Sequence, residues 1–252
     1  MKKLIITADD FGFTSEINRG IIETVENGVT TEVSLMMNSY GTVEAMKYAK
    51  NHTWDNIGVH LSLFNIDKNE KPYHSVDYER GLVSKSSKEL TAIIFDELKK
   101  FEDFFGRKPS HVNGHKHLHF NPKVIDFIFN YTQDRIYVRK WGDFESETTI
   151  PADLDFVKAK FAEYHIKTSD YLFGFEYDFN HSVNVVPKYQ QILQSVRDNQ
   201  TTEILFHPGY CGEFEASLTR FLQEREADRI LLCSKEMRDM LTQLGFTLSP
   251  AI

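Results

Sequence analysis

The chain has 252 residues, a hydrophobic content of 41% and a formal net charge of −8 at neutral pH. This length and composition suit one large core, so we expect a single domain spanning residues 1–252. The negative charge argues against a nucleic-acid-binding protein, whose surface is typically basic, and two cysteines are too few for a disulfide framework.

The predicted elements alternate between short apolar strands and amphipathic helices. The first strand covers residues 3–8, and its apolar run is too short for a signal-peptide core or a membrane span, so we expect a cytoplasmic protein with no membrane partner. Further strands are predicted at residues 32–37, 57–63, 110–114, 136–140, 168–173 and 203–206, the last of these being the final strand. Helices are predicted at residues 16–27, 43–50, 86–105, 121 onwards, 152–164, 187–198, 217–227 and 235–244.

About seven strands with intervening helices predict an α/β fold, a distorted or incomplete parallel (β/α) barrel. An open doubly wound sheet is the alternative, although no glycine-rich phosphate-binding motif follows any strand. Ser86 to Glu89 form a capping-box pattern, and Gly106 is the residue type that ends helices. The polar stretch at about residues 65–85 is interpreted as an insertion over the site.

Four of the ten histidines fall within nine residues, at His111, His115, His117 and His119. If this segment is extended, all four side chains and that of Asn113 project to one side. Imidazole is the commonest metal ligand in proteins. The run therefore indicates a metal or acid–base site, with a solvated polar loop as the alternative.

Chemically capable side chains lie at the ends of several predicted strands. Asp9 and Asp10 follow the first strand, and His60 lies in the third. The histidine run with His115 ends the fourth strand, and His207 ends the last. In a parallel barrel these ends share one face, so we expect one pocket. Asp10, His60 and His115 would suit a divalent cation, and the other aspartate could take a proton from water. Taken singly, the aspartate pair could form a turn and His60 could be a core histidine.

Five segments resemble the motifs of the YdjC-like carbohydrate deacetylase family, which includes chitooligosaccharide deacetylases. They occur in the family order and span the chain, at residues 6–12 (ITADDFG), 58–61 (GVHL), 106–111 (GRKPSH), 115–119 (HKHLH) and 206–209 (FHPG). The resemblance implies a distorted (β/α) barrel that hydrolyses the N-acetyl groups of acetylated amino sugars or chitooligosaccharides. It also implies a homodimer.

The resemblance further implies roles for individual residues. Asp10, His60 and His115 would bind one divalent metal ion. Asp9 would be the general base and His207 the general acid. The family implies Mg²⁺, whereas two imidazoles and one carboxylate suit Zn²⁺ or another transition metal better.

Other side chains are candidates for contacts with the substrate or the metal ligands. Arg139 would hold the general base or the substrate, or be a surface charge at a strand end. His117 and His119 remain from the histidine run, and Trp141 and one tyrosine of the insertion would stack on a sugar ring. The chain departs from the family at Lys116, which separates two histidines. Because Lys116 would face the opposite side, we expect metal binding to be kept and substrate contacts to differ.

Two other functions remain possible from the sequence. One is a different metal-dependent hydrolase, a phosphoesterase or amidohydrolase, marked by a second ion bound through Asn113, His117 and His119. The other is a non-catalytic sugar-binding or regulatory protein with the same fold.

Overall fold

The computed structural model describes residues 1–63, 84–133, 135–141, 153–174 and 186–251. Its strands are β1 Lys2–Phe11, β2 Glu32–Leu35, β3 Ile57–Leu61, β4 His111–Gly114, β5 Tyr137–Val138, β6 Tyr171–Gly174, β7 Thr201–Phe206 and β8 Phe246–Leu248. Its α-helices are α1 Ser15–Asn27, α2 Thr42–Asn51, α3 Ser87–Phe105, α4 Ile125–Thr132, α5 Leu154–Glu163, α6 Val186–Gln194, α7 Glu213–Leu218, α8 Gln223–Cys233 and α9 Lys235–Gln243.

The strands form one parallel sheet in the order β5-β4-β3-β2-β1-β7-β6, and β8 pairs with the first residues of β1. Among the described residues no ladder joins the edge strands β5 and β6, although Val138 N donates to Lys167 O at 2.9 Å near that seam. The sheet is therefore a curled, incomplete parallel barrel, and the predicted fold class is confirmed.

Strand β1 lies at the centre of this sheet, and its side chains alternate between two environments. Leu4, Ile6 and Ala8 are fully buried among apolar side chains. Thr7 and Asp9 instead contact polar side chains of other strands in the barrel interior. Because both faces of the strand are covered, its residues from Leu4 onwards are all buried, and the sequence shows an apolar run followed by two acids.

Several predicted boundaries agree with the structure. Helix α3 begins with both hydrogen bonds of the Ser86–Glu89 capping box, and Gly106 ends it with a φ of +69°. The predicted insertion lies outside the described residues, apart from Ser84 and Lys85. None of the described helices is both long and apolar enough to cross a lipid bilayer.

The prediction that all four histidines of the run face one side is wrong. Strand β4 ends at Gly114, and residues His115–Phe120 form a tight 3₁₀ turn. Lys116 and His117 have φ values of +49° and +57°, in the left-handed region, so the chain is kinked there. A side chain at position 114 would also meet the His119 backbone nitrogen at 2.8 Å. Side chains alternate between the two faces only within the strand, which ends at Gly114.

Three other expectations for the second half are corrected. Helix α4 begins at Ile125 because residues 121–124 form a turn closed by a bond from Val124 N to Asn121 O. The predicted helix at 217–227 is two helices, α7 and α8, with Thr219 in extended backbone between them. The strand at 201–206 is followed by another, β8, which is only three residues long.

Candidate active site

A backbone irregularity at the end of β1 turns two adjacent carboxylates toward the same site. Neighbours on a regular strand point to opposite faces. Asp10 has a φ of +67°, and the register between β1 and β2 shifts between Ala8 and Phe11. Both Asp9 and Asp10 are consequently buried and both contact side chains from other elements. A non-glycine residue in this conformation costs about 1–3 kcal/mol and is typical of functional sites.

The structure brings the three predicted metal ligands together. Asp10 Oδ1 lies 3.3 Å from His60 Nε2 and 3.3 Å from His115 Nδ1. The donor atoms of all three residues lie within 4.8 Å of one another. They come from β1, from β3 and from the turn after β4, so residues distant in sequence meet at the carboxyl ends of the strands.

The environment of His60 favours a positive charge at its Nε2. Nδ1 lies 2.7 Å from the amide oxygen of Asn113, which only accepts hydrogen bonds, so Nδ1 carries a proton. Nε2 is buried and makes no hydrogen bond within the described part of the chain. Burial lowers the pKa of His60, but the charges of Asp9 and Asp10 outweigh it and raise the pKa. A proton or a metal ion fits this position, and three donors of this kind suit a divalent metal.

Asp10 also binds an arginine that the sequence did not single out. Arg225, from α8, donates through NH2 to Asp10 Oδ2 at 2.6 Å and is 1% exposed. Burial raises the pKa of Asp10, but the charge of Arg225 and the neighbouring imidazoles of His115 and His60 hold it well below its usual value. One carboxylate oxygen thus faces the two histidines and the other faces Arg225.

Asp9 is held by Arg139 rather than by the candidate ligands. The guanidinium makes a bidentate contact, NH1 to Oδ2 at 2.5 Å and NH2 to Oδ1 at 3.0 Å, and Asn113 Nδ2 donates to Oδ1 at 3.1 Å. Burial raises the pKa of Asp9, but the charges of Arg139 and His60 outweigh it and lower the pKa. Of the alternatives predicted for Arg139, the structure shows contact with Asp9 and not a surface charge.

His207 follows β7 directly. Its backbone N–H donates to Asp228 Oδ2 at 2.7 Å, and its carbonyl oxygen lies 3.5 Å from Arg225 NH1. Burial lowers the pKa of His207 to about 3, although the charges of Asp10 and Asp9 oppose this. The imidazole is therefore neutral at rest, and a general acid at this position must gain its proton during the reaction.

Three other predicted residues lie in the turn after β4 or shortly after β5. His119 is buried, and its Nε2 lies 3.2 Å from the Arg139 carbonyl oxygen, so it supports the Arg139 backbone. His117 is half-buried in the turn. The Trp141 ring packs edge-on against Phe161 at 5.1 Å between centroids. The tyrosines of the insertion lie outside the described residues.

A second metal centre does not assemble within the described ranges. Asp10, His60 and His115 are the one group of three metal-binding donors found there. Asn113 is bonded to Asp9 and His60, and His119 to a backbone carbonyl. The described residues therefore hold no second group of donors of the kind expected in a two-metal hydrolase.

Two buried charges near the site, Arg225 and Glu203, were missed from the sequence. Glu203 lies within the apolar strand β7 and binds Arg139. Arg225 lies seven residues before Leu232, on the apolar side of α8. A charge within an apolar strand or on an apolar helix face is the signal that could have revealed both.

Several known proteins are similar to this chain over nearly its whole length. A carbohydrate deacetylase from Clostridium beijerinckii is 28% identical, with 98% of this chain and 97% of the relative covered. A carbohydrate deacetylase from Brevibacillus brevis is 25% identical over 95% of this chain and 94% of the relative. A chitooligosaccharide deacetylase from Yersinia enterocolitica is 24% identical, with 98% of this chain and 97% of the relative covered.

A solved structure shares the fold across the whole chain. It is described as a candidate cellobiose-phosphate cleavage protein from Enterococcus faecalis V583, and it is 22% identical with a TM-score of 0.76. The match covers 99% of this chain and 97% of that one. The family model for YdjC-like proteins matches residues 3–243. The chain therefore belongs to the YdjC-like family.

Proposed function

We propose that the protein is a metal-dependent carbohydrate N-deacetylase that hydrolyses the N-acetyl groups of acetylated amino sugars or chitooligosaccharides during oligosaccharide degradation. The observation that carries this proposal is the clustering of Asp10, His60 and His115 beside a separate carboxylate, Asp9. Family membership and the names of the relatives supply the substrate class.

In this proposal Asp10, His60 and His115 hold one divalent metal ion. When bound, such an ion polarises the acetamide carbonyl and lowers the pKa of water, which supplies a nucleophile near neutral pH. The family resemblance implies Mg²⁺, but two imidazole donors and one carboxylate favour a transition metal such as Zn²⁺.

Asp9 accepts the proton of the attacking water. Arg139 and Asn113 orient its carboxylate. Burial keeps bulk water from replacing these partners. Asp9 is therefore fixed beside the candidate ligands and is not itself one of them, as a general base requires.

His207 donates a proton to the departing amine, which leaves poorly unless it is protonated. The imidazole is neutral at rest because burial lowers its pKa to about 3. Negative charge that develops on the acyl oxygen during attack raises the pKa of a nearby imidazole. His207, which is partly exposed, therefore takes a proton from solvent as this charge develops and passes it to the amine nitrogen, and Asp9 returns the proton of water to solvent after the products leave.

The substrate, cellular location and assembly state of the enzyme are also proposed. We propose a small acetylated sugar as the substrate, a cytoplasmic location and a homodimeric assembly, the last by family resemblance. Substrate-facing roles are proposed for Trp141 and His117, and supporting roles for Arg139 and His119.

The test is acetate release from di-N-acetylchitobiose. Metal-free protein is reloaded in turn with Mg²⁺, Zn²⁺, Co²⁺, Ni²⁺ and Mn²⁺, beside Asp9→Asn and a phosphate-ester substrate. We expect metal-dependent acetate release that Asp9→Asn slows about 10²- to 10⁴-fold. Sugar binding without acetate release under every metal would show a non-catalytic sugar-binding protein. Hydrolysis of the phosphate ester alone would show a phosphoesterase.

A further inference from the structure

A layer of buried polar side chains lies in the barrel next to the Asp9–Arg139 pair, on the side of the amino-terminal ends of the strands. Its members are Thr7, Glu32, Tyr137 and Glu203, each at most 3% exposed. Arg139 joins this layer to the site, because its Nε donates to Glu203 Oε1 at 2.6 Å while its terminal nitrogens bind Asp9.

The hydroxyl of Thr7 lies between two carboxyl groups. Thr7 Oγ1 is 3.0 Å from Glu32 Oε1 and 3.1 Å from Glu203 Oε1. A hydroxyl has one proton and can donate it to only one of these oxygens. The other carboxyl group must carry a proton of its own and donate it to Thr7, since two lone pairs at this distance repel each other.

The contacts of the two glutamates decide which of them carries that proton. Glu203 accepts from Arg139 Nε at 2.6 Å and from the Tyr137 hydroxyl at 2.5 Å, so it has a full cation and a strong donor as partners. The second oxygen of Glu32 accepts a backbone hydrogen bond from Ala251 N at 2.9 Å, and within the described ranges it has no charged donor. Glu203 is therefore the better site for the negative charge.

Among the residues that the structure describes, no lysine or arginine forms an ion pair with Glu32. His111 Nδ1 is 3.5 Å from Glu32 Oε1 and closer, at 3.0 Å, to Ser110 Oγ. Burial lowers the pKa of His111 to about 4, so its imidazole is neutral. Burial raises the pKa of Glu32 to about 7. The charge of the more distant Arg139 lowers this pKa, and the charge of Asp9 raises it.

We propose that Glu32 is a protonated carboxylic acid in the folded protein, that it donates to Thr7, and that Thr7 donates to an ionised Glu203. Glu203 is then a positioning residue that fixes Arg139 and, through it, Asp9. The positioning role rests on the proposed function of Asp9, whereas the protonation of Glu32 does not depend on it.

The test of protonation uses a matched pair of isosteric variants, Glu32→Gln and Glu203→Gln. Infrared difference spectra of the metal-free protein labelled with ¹³C-glutamate at about pH 6 report protonated carboxyl groups directly. Glu97 is also expected to be protonated at this pH, so every protein compared carries Glu97→Gln. We expect the remaining protonated-carboxyl band to be lost in Glu32→Gln and kept in Glu203→Gln. A band unaffected by Glu32→Gln, or lost instead in Glu203→Gln, would overturn the assignment.

Thr7→Val is the further variant, since valine keeps the shape of threonine without its hydroxyl. We expect the Glu32 band to move to higher frequency, because its hydrogen-bond acceptor is lost. An unmoved band would show that Glu32 does not donate to Thr7. This measurement keeps the proposal testable if Glu203→Gln fails to fold.

The positioning role of Glu203 is tested by the kinetics of acetate release. Glu203→Gln keeps the shape of the side chain and removes its charge. We expect kcat to fall about 10- to 100-fold with KM little changed, the range typical of residues that support a catalytic centre. An active wild type with an unchanged kcat in the variant would refute the role of Glu203. An inactive wild type would refute the proposed function and leave the infrared result intact.

Discussion

The two neighbouring carboxylates of the site are distinguished by their arginine partners. Asp9 is paired with Arg139 from the end of β5, and Asp10 with Arg225 from α8. Only Asp10 also faces the two histidines at 3.3 Å. Adjacent identical residues thus have different partners, and their substitutions are expected to have separable effects.

Substitution of Asp9 by asparagine tests its role as the base. The variant keeps the size of the side chain and removes its basicity, so kcat should fall about 10²- to 10⁴-fold. Metal content should stay at the wild-type level, because Asp9 is not in the candidate ligand set. Both are measured on one preparation, by acetate release and by elemental analysis. Loss of the metal in Asp9→Asn would show that Asp9 is a ligand.

Asp10→Asn is expected to lose the metal instead. Asparagine tolerates the left-handed backbone that Asp10 adopts, with its φ of +67°, so the change removes charge without adding strain. We expect metal affinity to fall at least tenfold, measured by competition with a chelating dye. Wild-type affinity in this variant would contradict the proposed ligand set.

The candidate metal ligands could be predicted from the sequence, but the arginine that binds one of them, Arg225, could not. Asp10, His60 and His115 follow predicted strands, and the geometry of parallel strands brings such positions together. Arg225 lies on a helix with many charged residues, and its burial depends on how α8 packs against α1 and the loop after β7. That packing is a tertiary property that the helical period alone does not determine.

At the scale of elements, the approach of α1 to the loop after β7 is unusually close. A Cβ added at Gly20 would lie 2.5 Å from the Cα of Gly209, which is a backbone atom. Gly209 is two residues from His207, and its N–H donates to the Arg225 carbonyl oxygen at 3.2 Å. Helix α1 therefore sets the position of the loop that carries His207.

Gly20→Ala should destabilise the protein, although it improves the helix propensity of α1. The propensity gain is about 1 kcal/mol, whereas overpacking against a fixed backbone costs typically 1–3 kcal/mol. We expect a net loss in the free energy of unfolding, measured by urea denaturation, and a lower kcat from the displaced His207. A variant more stable than wild type would contradict the close packing.

Element types were easier to predict than the path of the chain between them. The capping box at Ser86 and the terminating Gly106 are local signals, and both work as predicted. The prediction that the four histidines face one side was wrong because Lys116 and His117 adopt left-handed conformations. Neither residue type requires that conformation, so the sequence gives no sign of it. The short strand β8 was missed because three residues give too little alternation to detect.

For the whole molecule, buried acids make stability depend on pH. Glu97, on α3, accepts hydrogen bonds from Ser62 N at 3.0 Å and Leu63 N at 2.8 Å. Burial raises its pKa from 4.5 to about 7, against the effect of these bonds. The folded protein thus binds more protons than the unfolded chain between those two values. Stability from this group is full below about pH 4.5 and is lost as the pH rises to about 7.

The expected loss from Glu97 over this range is roughly 3 kcal/mol. Glu97→Gln should remove this contribution, so its free energy of unfolding should fall less between pH 4.5 and 7 than that of wild type. Urea denaturation at several pH values measures both proteins. Parallel pH profiles for the two proteins would show that Glu97 has an ordinary pKa. The pKa of Glu32 is raised to about 7 in the same way, so Glu32→Gln should also weaken the pH dependence of the free energy of unfolding.

The fold as a whole was the most predictable property. Apolar strands that alternate with amphipathic helices leave few arrangements besides a parallel barrel or a doubly wound sheet. An incomplete barrel was predicted, but not that the opening among the described residues lies between β5 and β6, because β5 has only two residues and its pairing depends on long-range contacts.

The central position of β1 has a consequence for synthesis of the protein. Thr7 and Glu203 are partners across 196 residues, and β1 pairs along its length with β7. While the ribosome is still making the first two hundred residues, this strand has one of its long neighbours missing. Such non-local pairing slows folding and leaves apolar surface exposed in the meantime. The candidate active site is therefore expected to be one of the last parts of the molecule to form, and incomplete chains should depend on chaperones.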